Sequence, residues 1–101
     1  MMFALTGRTA LVTGASRGLG RAIAQAMAQA GAHVIVNGRD AGRLASVVAA
    51  ISEAGGTAQA CAFDIADPVA REAALAGLAE TGTHIDILVN NVGRRHRGPV
   101  G

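Results

Sequence analysis

The sequence predicts an α/β fold with a parallel β-sheet and helices on both of its faces. Strand-like and helix-like segments alternate along the 101 residues, and the strand-like runs are short and continuously apolar. Continuous apolar runs are typical of parallel strands covered on both faces, because neither face meets water. A third observation is a glycine-spaced turn at residues 13–20, between the first strand-like run and the first helix-like run.

The first three elements follow from the pattern at the start of the chain. Thr9 to Val12 is the first strand-like run, and a helix is expected from Leu19 onward. Gly31 stands where a helix-terminating glycine belongs, and the β-branched run His33 to Val36 predicts the second strand. Four apolar residues at spacings of four, four and three predict the buried face of the helix: Leu19, Ile23, Met27 and Ala30.

Two further helices have start signals of their own. Asp40 is the expected N-cap of the second helix, and Gly55 and Gly56 end it. Asp67 and Pro68 supply the N-cap and a proline at the first position of the third helix. The second helix has an apolar face with the i, i+3, i+4, i+7 spacing, formed by Leu44, Val47, Val48 and Ile51.

The remaining two strands complete a βαβαβαβ order. Ala58 to Phe63 predicts the third strand, and Ile85 to Val89 predicts the fourth, which ends at the turn-forming residues 90–93. Such alternation implies a parallel sheet joined by right-handed crossovers. The sequence therefore predicts the N-terminal half of a Rossmann dinucleotide-binding domain over residues 1–101. We expect it to be truncated after the fourth strand, which is left as an unpaired apolar edge.

The glycine-spaced turn has the features of a dinucleotide site. A strand that ends in such a turn leads to the N-terminus of a helix, where free backbone N–H groups and the positive end of the dipole favour a pyrophosphate. Gly14 permits the tight turn, Gly18 lets phosphates approach the backbone, and Gly20 lets the helix pack closely on the strand. The strand before the turn and the helix after it make the pattern more specific than a lone glycine motif.

Composition argues against several other classes of protein. Half of the residues are hydrophobic, 16% are charged and the net charge is only +2, so neither a disordered tail nor nucleic-acid binding is expected. The basic run at residues 94–97 has no interleaved aromatic residues. The three histidines are isolated from one another and from cysteine or carboxylate at ligand spacing, so no metal site is predicted.

The N-terminus and the cysteine content indicate a soluble, cytoplasmic protein. Cys61 is the single cysteine and has no partner for an intrachain disulfide, which fits a reducing compartment. Residues 1–6 lack the basic start and the apolar stretch of a secretory signal, and no window approaches membrane-spanning length. We therefore expect no membrane partner.

Three motifs resemble the short-chain dehydrogenase/reductase family. They are the sequence TGASRGLG at residues 13–20, the pair DI at residues 64–65 and the sequence NNVG at residues 90–93. Each follows a predicted strand, and the match spans the whole chain. Val92 departs from the alanine that the family usually has. The loop from Asn90 to Pro99 is similar to that of members that act on sugar acids such as gluconate.

The resemblance implies a role for each residue in these motifs. The glycine turn would hold the cofactor's phosphates and ribose, with Gly20 as a packing residue. Asp64 would accept a hydrogen bond from the adenine amino group, and the backbone of Ile65 would steady the ring. Asn91 would contact the ribose on the nicotinamide side, and Gly93 would keep that approach open, whereas Asn90 would tie neighbouring strands together. Together with Arg39, which follows the second strand, the candidate cofactor-binding residues are Gly14, Ser16, Arg17, Gly18, Leu19, Gly20, Arg39, Asp64, Ile65, Asn91 and Gly93.

The end of the second strand bears on the choice of cofactor. An NAD site has an acid there, about twenty residues beyond the glycine turn, to bind the free ribose hydroxyls. Here the strand ends in Asn37, Gly38 and Arg39, and Arg39 and Arg17 would suit a 2′-phosphate. This favours NADP(H), with NAD(H) as the alternative. Asp40 leaves two interpretations open. It could neutralise Arg39, or it could cap the following helix while Arg39 is merely an exposed residue.

Catalysis in the resembled family uses a tyrosine, a lysine and a serine. This chain contains no tyrosine, and all nine of its basic residues are arginine, so it cannot supply that proton relay. Ser16 belongs to the cofactor turn and Ser46 to a helix, so no catalytic residue is assigned. In the complete protein we expect a small-molecule carbonyl or alcohol substrate and a homo-oligomer. The basic run at residues 94–97 would suit a carboxylate on that substrate.

Two functional interpretations follow. The first is the cofactor-binding portion of a short-chain oxidoreductase that transfers a hydride between NADP(H) and a carbonyl or alcohol, with the catalytic tyrosine and lysine outside this chain. The second is a free-standing, non-catalytic dinucleotide-binding module. The second is weakened by the apolar edge strand and the small core.

Overall fold

A computed structural model describes residues 4–91, and these contain one parallel sheet with the strand order β3-β2-β1-β4. The elements are β1 (Thr9–Val12), α1 (Gly18–Gln29), β2 (His33–Gly38), α2 (Ala41–Glu53), β3 (Thr57–Ala62), α3 (Pro68–Glu80) and β4 (Ile87–Val89). The predicted alternation of strands and helices is confirmed. Because β1 lies between β2 and β4, the glycine turn that follows it lies near the middle of one edge of the sheet.

The strand register brings the carboxyl ends of all four strands to that edge. Val12 of β1 is level with Val36 of β2 and with Val89 of β4. β2 continues alongside β3 as far as the pair Gly38 and Ala62. Ligands of open parallel sheets bind outside the carboxyl ends of the strands, so the register assembles the loops that a binding site needs.

The two predicted helix caps are present. The Asp40 carboxylate accepts a hydrogen bond from the Arg43 backbone N–H at the start of α2. The Asp67 carboxylate accepts from the backbone N–H groups of Val69 and Ala70, and Pro68 is the first residue of α3. Both caps satisfy donors that a helix N-terminus would otherwise leave unpaired.

Helix α1 buries a different face from the one that the apolar spacing predicts. Its buried residues are Gly20, Ala24 and Ala28, whereas Leu19 is 68% exposed. Ile23 and Met27 are partly buried and flank the core. Close packing of α1 on the sheet leaves room only for small residues at the centre of the helix–sheet contact. The larger residues of α1 lie at the sides of this contact.

The two faces of the sheet are packed unequally. On the face covered by α1 and α2, eleven buried residues form one cluster, which includes Val12, Val34 and Leu44. On the other face, a smaller cluster contains Leu11, Ile35 and Leu78, the last of these from α3. Leu88 of β4 is 62% exposed there among the described residues. The helices therefore lie on both faces, as predicted, but most of the core lies on one.

Strand β4 is shorter than predicted. The ladder starts at Ile87 instead of Ile85, because Asp86 pairs with Thr9 partly through its side chain. The Thr9 backbone N–H donates to the Asp86 carboxylate at 2.9 Å, and the Asp86 backbone N–H donates to the Thr9 carbonyl at 2.8 Å. β4 is an edge strand of the sheet within residues 4–91, as the sequence predicts.

None of the helices within residues 4–91 combines the length and the apolar character needed to cross a bilayer.

Candidate functional site

The glycine turn after β1 has two glycines with positive φ angles and a third glycine at the point where α1 packs against the turn. Gly14 has φ +60° and Gly18 has φ +62°, a conformation that favours glycine. A Cβ on Gly14 would meet the backbone oxygen of Asn91, and a Cβ on Gly20 would meet the carbonyl oxygen of Gly14. A Cβ on Gly18 would have no atom within 4 Å, so the space in front of this residue is open. The environments of Gly14 and Gly20 fit the tight turn and the close helix contact that the sequence predicts, whereas the approach of a phosphate to Gly18 stays a prediction.

The N-terminus of α1 lacks the side-chain cap that the other two helices have. Its N-cap residue is Arg17, which has extended backbone geometry with φ −165° and makes no side-chain capping bond. Asp40 and Asp67 cap α2 and α3. The first turn of α1 also contains no acidic residue. Its first backbone donors and the positive end of its dipole are therefore open to an anion, and a pyrophosphate has the required charge.

A polar clasp, formed by Thr13, Asn90 and Asn91, holds the turn against the end of β4. The Thr13 hydroxyl accepts from the Asn91 backbone N–H at 2.8 Å and lies 3.2 Å from the Asn90 side-chain oxygen, to which it can donate. The Asn91 side-chain amide donates to the Gly14 carbonyl at 3.3 Å. The bond between Thr13 and Asn90 fits the strand-tying role expected of Asn90. Asn91, expected at the ribose, contacts the turn itself in this structure.

Asn37 is a positioning residue whose role no local sequence pattern predicted. It is 1% exposed, and its side-chain amide donates to the carbonyls of Cys61 and Phe63, both at 3.1 Å. Its own carbonyl accepts from the Ala15 backbone N–H at 2.7 Å. Asn37 thus joins the ends of β2 and β3 to the glycine turn. The sequence feature that could have indicated this role is a single amide side chain at the end of the apolar, β-branched run of β2.

Arg39 and Asp64 lie opposite each other at the ends of β2 and β3. The Arg39 Nη1 atom is 4.0 Å from the Asp64 Oδ2 atom, and both side chains are substantially exposed. The second carboxylate oxygen of Asp64 accepts from the Ala66 backbone N–H at 2.9 Å. The predicted ribose and adenine residues therefore lie side by side, on the separate loops that follow β2 and β3. Ser16 is close as well, because its Cβ would lie 3.4 Å from a Cβ placed on Gly38.

Asp40 is engaged with its own helix. Its two carboxylate oxygens accept from the Arg43 backbone N–H at 3.1 Å and from the Arg43 Nε–H at 3.2 Å. The hydrogen bond from the Arg43 backbone N–H lowers the pKa of Asp40 below its ordinary value of 3.8. Of the two interpretations left open by the sequence, the structure has Asp40 as the cap of α2 and Arg39 as an exposed residue whose nearest carboxylate is that of Asp64.

A groove of about 350 Å³ lies beside the Asp64 loop. It is lined by Thr13, Ile65, Ala66, Arg71, Leu88 and Asn90. The Arg71 Nη1–H donates to the Ile65 carbonyl at 2.8 Å, which fixes the backbone of the residue expected to support adenine. A second cleft, of about 400 Å³, lies between the carboxyl-terminal parts of α1 and α2 and contains none of the predicted site residues.

Three further predictions concern the residues after Asn91, metal binding and Cys61. Gly93 and the basic run at 94–97 lie outside the described residues. Within residues 4–91 there is no group of three histidine, cysteine or carboxylate side chains that could hold a metal ion. Burial raises the pKa of the Cys61 thiol, which lies beside the smaller core cluster.

Comparison with known proteins decides the family. Residues 8–101 match the family described as short chain dehydrogenase. The chain belongs to this family. Short-chain dehydrogenases bind NAD(P) and act on small-molecule substrates.

Individual short-chain dehydrogenases match over nearly the whole of this chain. Gluconate 5-dehydrogenase of Gluconobacter oxydans is 40% identical over 99 residues, which are 98% of this chain and 39% of that protein. The structure of a candidate gluconate dehydrogenase from Agrobacterium tumefaciens superposes with a TM-score of 0.91 at 48% identity, over 98% of this chain and 39% of the other.

A third match comes from a complex. The structure of gluconate 5-dehydrogenase from Burkholderia cenocepacia, bound to NADP and tartrate, has a TM-score of 0.87 at 37% identity, over 97% of this chain and 38% of the other. The chain therefore spans about 39% of the length of such relatives.

Proposed function

We propose that this chain is the dinucleotide-binding part of an NADP(H)-dependent oxidoreductase that acts on a carbonyl or alcohol substrate. The observation that carries the proposal is the glycine turn leading into the uncapped N-terminus of α1, in a chain of the short-chain dehydrogenase family. The open space in front of Gly18 supports it, because a phosphate could approach the backbone there. The nicotinamide of the bound cofactor would supply or accept the hydride.

The pyrophosphate and the adjacent ribose would lie along the glycine turn. Gly14, Ser16, Arg17 and Gly18 are the residues proposed to line it, together with Leu19, whose side chain is largely exposed. Gly20 would contribute by seating α1 against the turn. The polar clasp and Asn37 would keep the turn in place before a ligand arrives, so that little ordering is needed on binding.

The adenosine end would lie between the loops after β2 and β3. Asp64 and the backbone of Ile65 are proposed to hold the adenine, and Arg39 to bind the 2′-phosphate of NADP(H). The absence of an acid at the end of β2 supports this choice, as does the engagement of Asp40 with Arg43. Asn91 and Gly93 remain the proposed contacts on the nicotinamide side, and NAD(H) remains the alternative cofactor.

The proton transfer that accompanies hydride transfer needs residues that these 101 lack. The chain contains no tyrosine, and its nine basic residues are all arginine. We therefore assign the chain to cofactor binding over residues 1–101, as the N-terminal half of a Rossmann domain, and assign no catalytic residue to it. The chemistry of the whole protein would require the tyrosine and lysine that the family uses.

The similarity to gluconate dehydrogenases suggests a substrate class. Gluconobacter oxydans gluconate 5-dehydrogenase is a relative over 98% of this chain. We propose a polyhydroxylated carboxylate as the substrate of the whole protein, with the basic run at residues 94–97 as its electrostatic partner. A homo-oligomeric assembly is proposed from the family, and a cytoplasmic location from the single cysteine, which fits a reducing compartment. No nucleic-acid or membrane partner is proposed.

Ligand binding tests the proposed function directly. We expect isothermal titration of the purified chain to give a lower Kd for NADPH than for NADH. Arg39→Ala should reduce this preference tenfold or more, since a charge-assisted hydrogen bond contributes about 1.5–3 kcal/mol. Arg8→Ala is the matched control, because Arg8 is exposed and precedes β1, at the opposite edge of the sheet. An unchanged ratio in Arg39→Ala would remove Arg39 from the phosphate site, and no binding of either cofactor would refute the proposed function.

A further inference from the structure

The ion pair between Arg39 and Asp64 joins two residues that the proposed function assigns to different parts of the cofactor. Their atoms Nη1 and Oδ2 are 4.0 Å apart. Among the ion pairs found within residues 4–91, this one connects two separate loops, whereas the others join residues two or three positions apart. The strand register explains the approach, since Gly38 is level with Ala62 and the two loops leave the sheet side by side.

The carboxylate of Asp64 is held in place for this contact. Its Oδ1 atom accepts from the Ala66 backbone N–H at 2.9 Å, so the turn itself orients the group and leaves Oδ2 towards Arg39. Asp40, although adjacent to Arg39 in sequence, uses both of its carboxylate oxygens on Arg43. Asp64 is therefore the carboxylate that faces the Arg39 guanidinium in the part of the chain that the structure describes.

We infer that Asp64 acts as a substitute anion for Arg39 when the cofactor has no 2′-phosphate, and that it thereby limits the selectivity of the site for NADP(H) over NAD(H). This inference rests on the proposed function. With NAD(H) bound, Arg39 retains Asp64 as a partner and its charge remains compensated. With NADP(H) bound, the 2′-phosphate has to compete with a carboxylate that is already close, so it gains less than it would at an unpaired guanidinium.

The expected size of the effect follows from the exposure of the pair. The Arg39 side chain is 79% exposed and that of Asp64 is 45% exposed, so solvent and salt screen their attraction. Exposed pairs of this kind change an equilibrium by about two- to fivefold. Asp64 would therefore adjust the cofactor preference without setting it.

The test compares 2′,5′-ADP with 5′-AMP in calorimetric titrations at low ionic strength. Both ligands contain adenine, so any loss of the adenine contact cancels in the ratio of their Kd values. Asp64→Asn removes the charge, and the asparagine side-chain oxygen can still accept from the Ala66 N–H. We expect the preference for 2′,5′-ADP to rise about two- to fivefold in Asp64→Asn and to stay unchanged when the same substitution is made in Arg39→Ala.

Two further variants control for net charge and for folding. Asp67→Asn removes a negative charge three positions away while retaining an N-cap residue on α3, and it should leave the ratio unchanged. If far-UV circular dichroism shows that Asp64→Asn is misfolded, Asp64→Ser takes its place, because a serine hydroxyl can accept from the same backbone N–H.

The alternatives give distinct results. An unchanged or lowered ratio in Asp64→Asn overturns the inference, as does an equal rise in the Arg39→Ala background or in Asp67→Asn. If the wild-type chain prefers 2′,5′-ADP and only the Asp64→Asn result fails, the proposed function stands and this inference alone is rejected. If the wild-type chain binds neither ligand, this inference is rejected, and the proposed function is rejected with it when NADPH and NADH also fail to bind.

Discussion

The starts of α1 and α2 lie at the same edge of the sheet, and their chemistry is opposite. Each helix follows a strand of the parallel sheet after a short loop. At α2 the Asp40 carboxylate accepts from the Arg43 backbone N–H, whereas at α1 the N-cap position is taken by Arg17, which makes no capping bond. A cap stabilises the helix that carries it and occupies the donors that an anion would use. The same position in two neighbouring strand–helix units therefore stabilises the helix in one, and in the other is left open for the ligand that we propose.

The largest effect is expected where α1 meets the turn. Gly20→Ala should lower the free energy of unfolding by about 3 kcal/mol, because the new Cβ would meet the Gly14 carbonyl oxygen and backbone atoms have to move. Gly77→Ala is the matched control, since Gly77 lies in α3 and a Cβ there has nothing within 4 Å. The control should stabilise the chain by about 0.5–1 kcal/mol. Urea unfolding measures both changes, and equal effects would contradict the close seating of α1.

A cap introduced at the N-terminus of α1 should raise the stability of the chain and weaken its binding of NADPH. Arg17→Asn should raise the free energy of unfolding by about 0.5–2 kcal/mol, because asparagine is a good N-cap and would bond to the open donors. The same variant should weaken NADPH binding by tenfold or more, since those donors would no longer be available to the pyrophosphate.

Arg17→Ala separates the cap from the loss of the arginine charge. Alanine is a poor N-cap, so this variant should not be stabilised and should lose less affinity than Arg17→Asn. Thermal unfolding and calorimetric titration of the two variants provide the comparison. If both bind NADPH equally, the open helix N-terminus contributes nothing to binding.

Removing the existing cap of α3 should lower the stability of the chain and leave its affinity for NADPH nearly unchanged. Asp67→Ala is expected to destabilise the chain by about 1 kcal/mol, because the N–H groups of Val69 and Ala70 lose their acceptor. Its affinity for NADPH should stay within twofold of the wild type, as this cap belongs to α3 and not to the glycine turn. A large loss of affinity in a folded Asp67→Ala variant would show that the α3 cap also supports the site.

The smallest effect concerns the pH dependence of the α2 cap. The pKa of Asp40 is lower in the folded chain than its ordinary value of 3.8, because the Arg43 N–H favours the ionised form. The group therefore contributes stability above about pH 4, and this contribution is lost as the pH falls through the folded pKa. Asp40→Asn retains a cap without a titrating group, so its unfolding midpoint should depend less on pH below about pH 5. Parallel pH profiles for the two proteins would contradict the assignment.

The sequence predicted features that depend on neighbouring residues. Asp40 and Asp67 were predicted as caps because the cap and the N–H groups that it accepts from lie within three positions of each other. The apolar runs predicted the strands for a similar reason, since burial on both faces requires a continuous apolar segment. The fold class and the family motifs were therefore accessible from local patterns.

Features that depend on distant contacts were missed or placed inaccurately. The apolar spacing predicted Leu19 on the buried face of α1, but the distance between helix and sheet selects Gly20, Ala24 and Ala28 instead. The role of Asn37 depends on carbonyls of β3 and its neighbouring loop, 24 and 26 positions away. No local pattern encodes that partnership. The contacts assigned to the cofactor, including those of Asn91, remain predictions.

The position of β1 at the centre of the sheet has a consequence for synthesis of the chain on the ribosome. β1 can pair with β2 soon after translation of residue 38, but its pairing with β4 joins residues 77 positions apart. Contacts between distant segments require a larger loss of chain entropy and form late. The Thr13 hydroxyl can accept its hydrogen bond from the Asn91 N–H only after Asn91 has been synthesised. The polar clasp on the glycine turn therefore forms late. We therefore expect the glycine turn to reach its final form only after the fourth strand has left the exit tunnel.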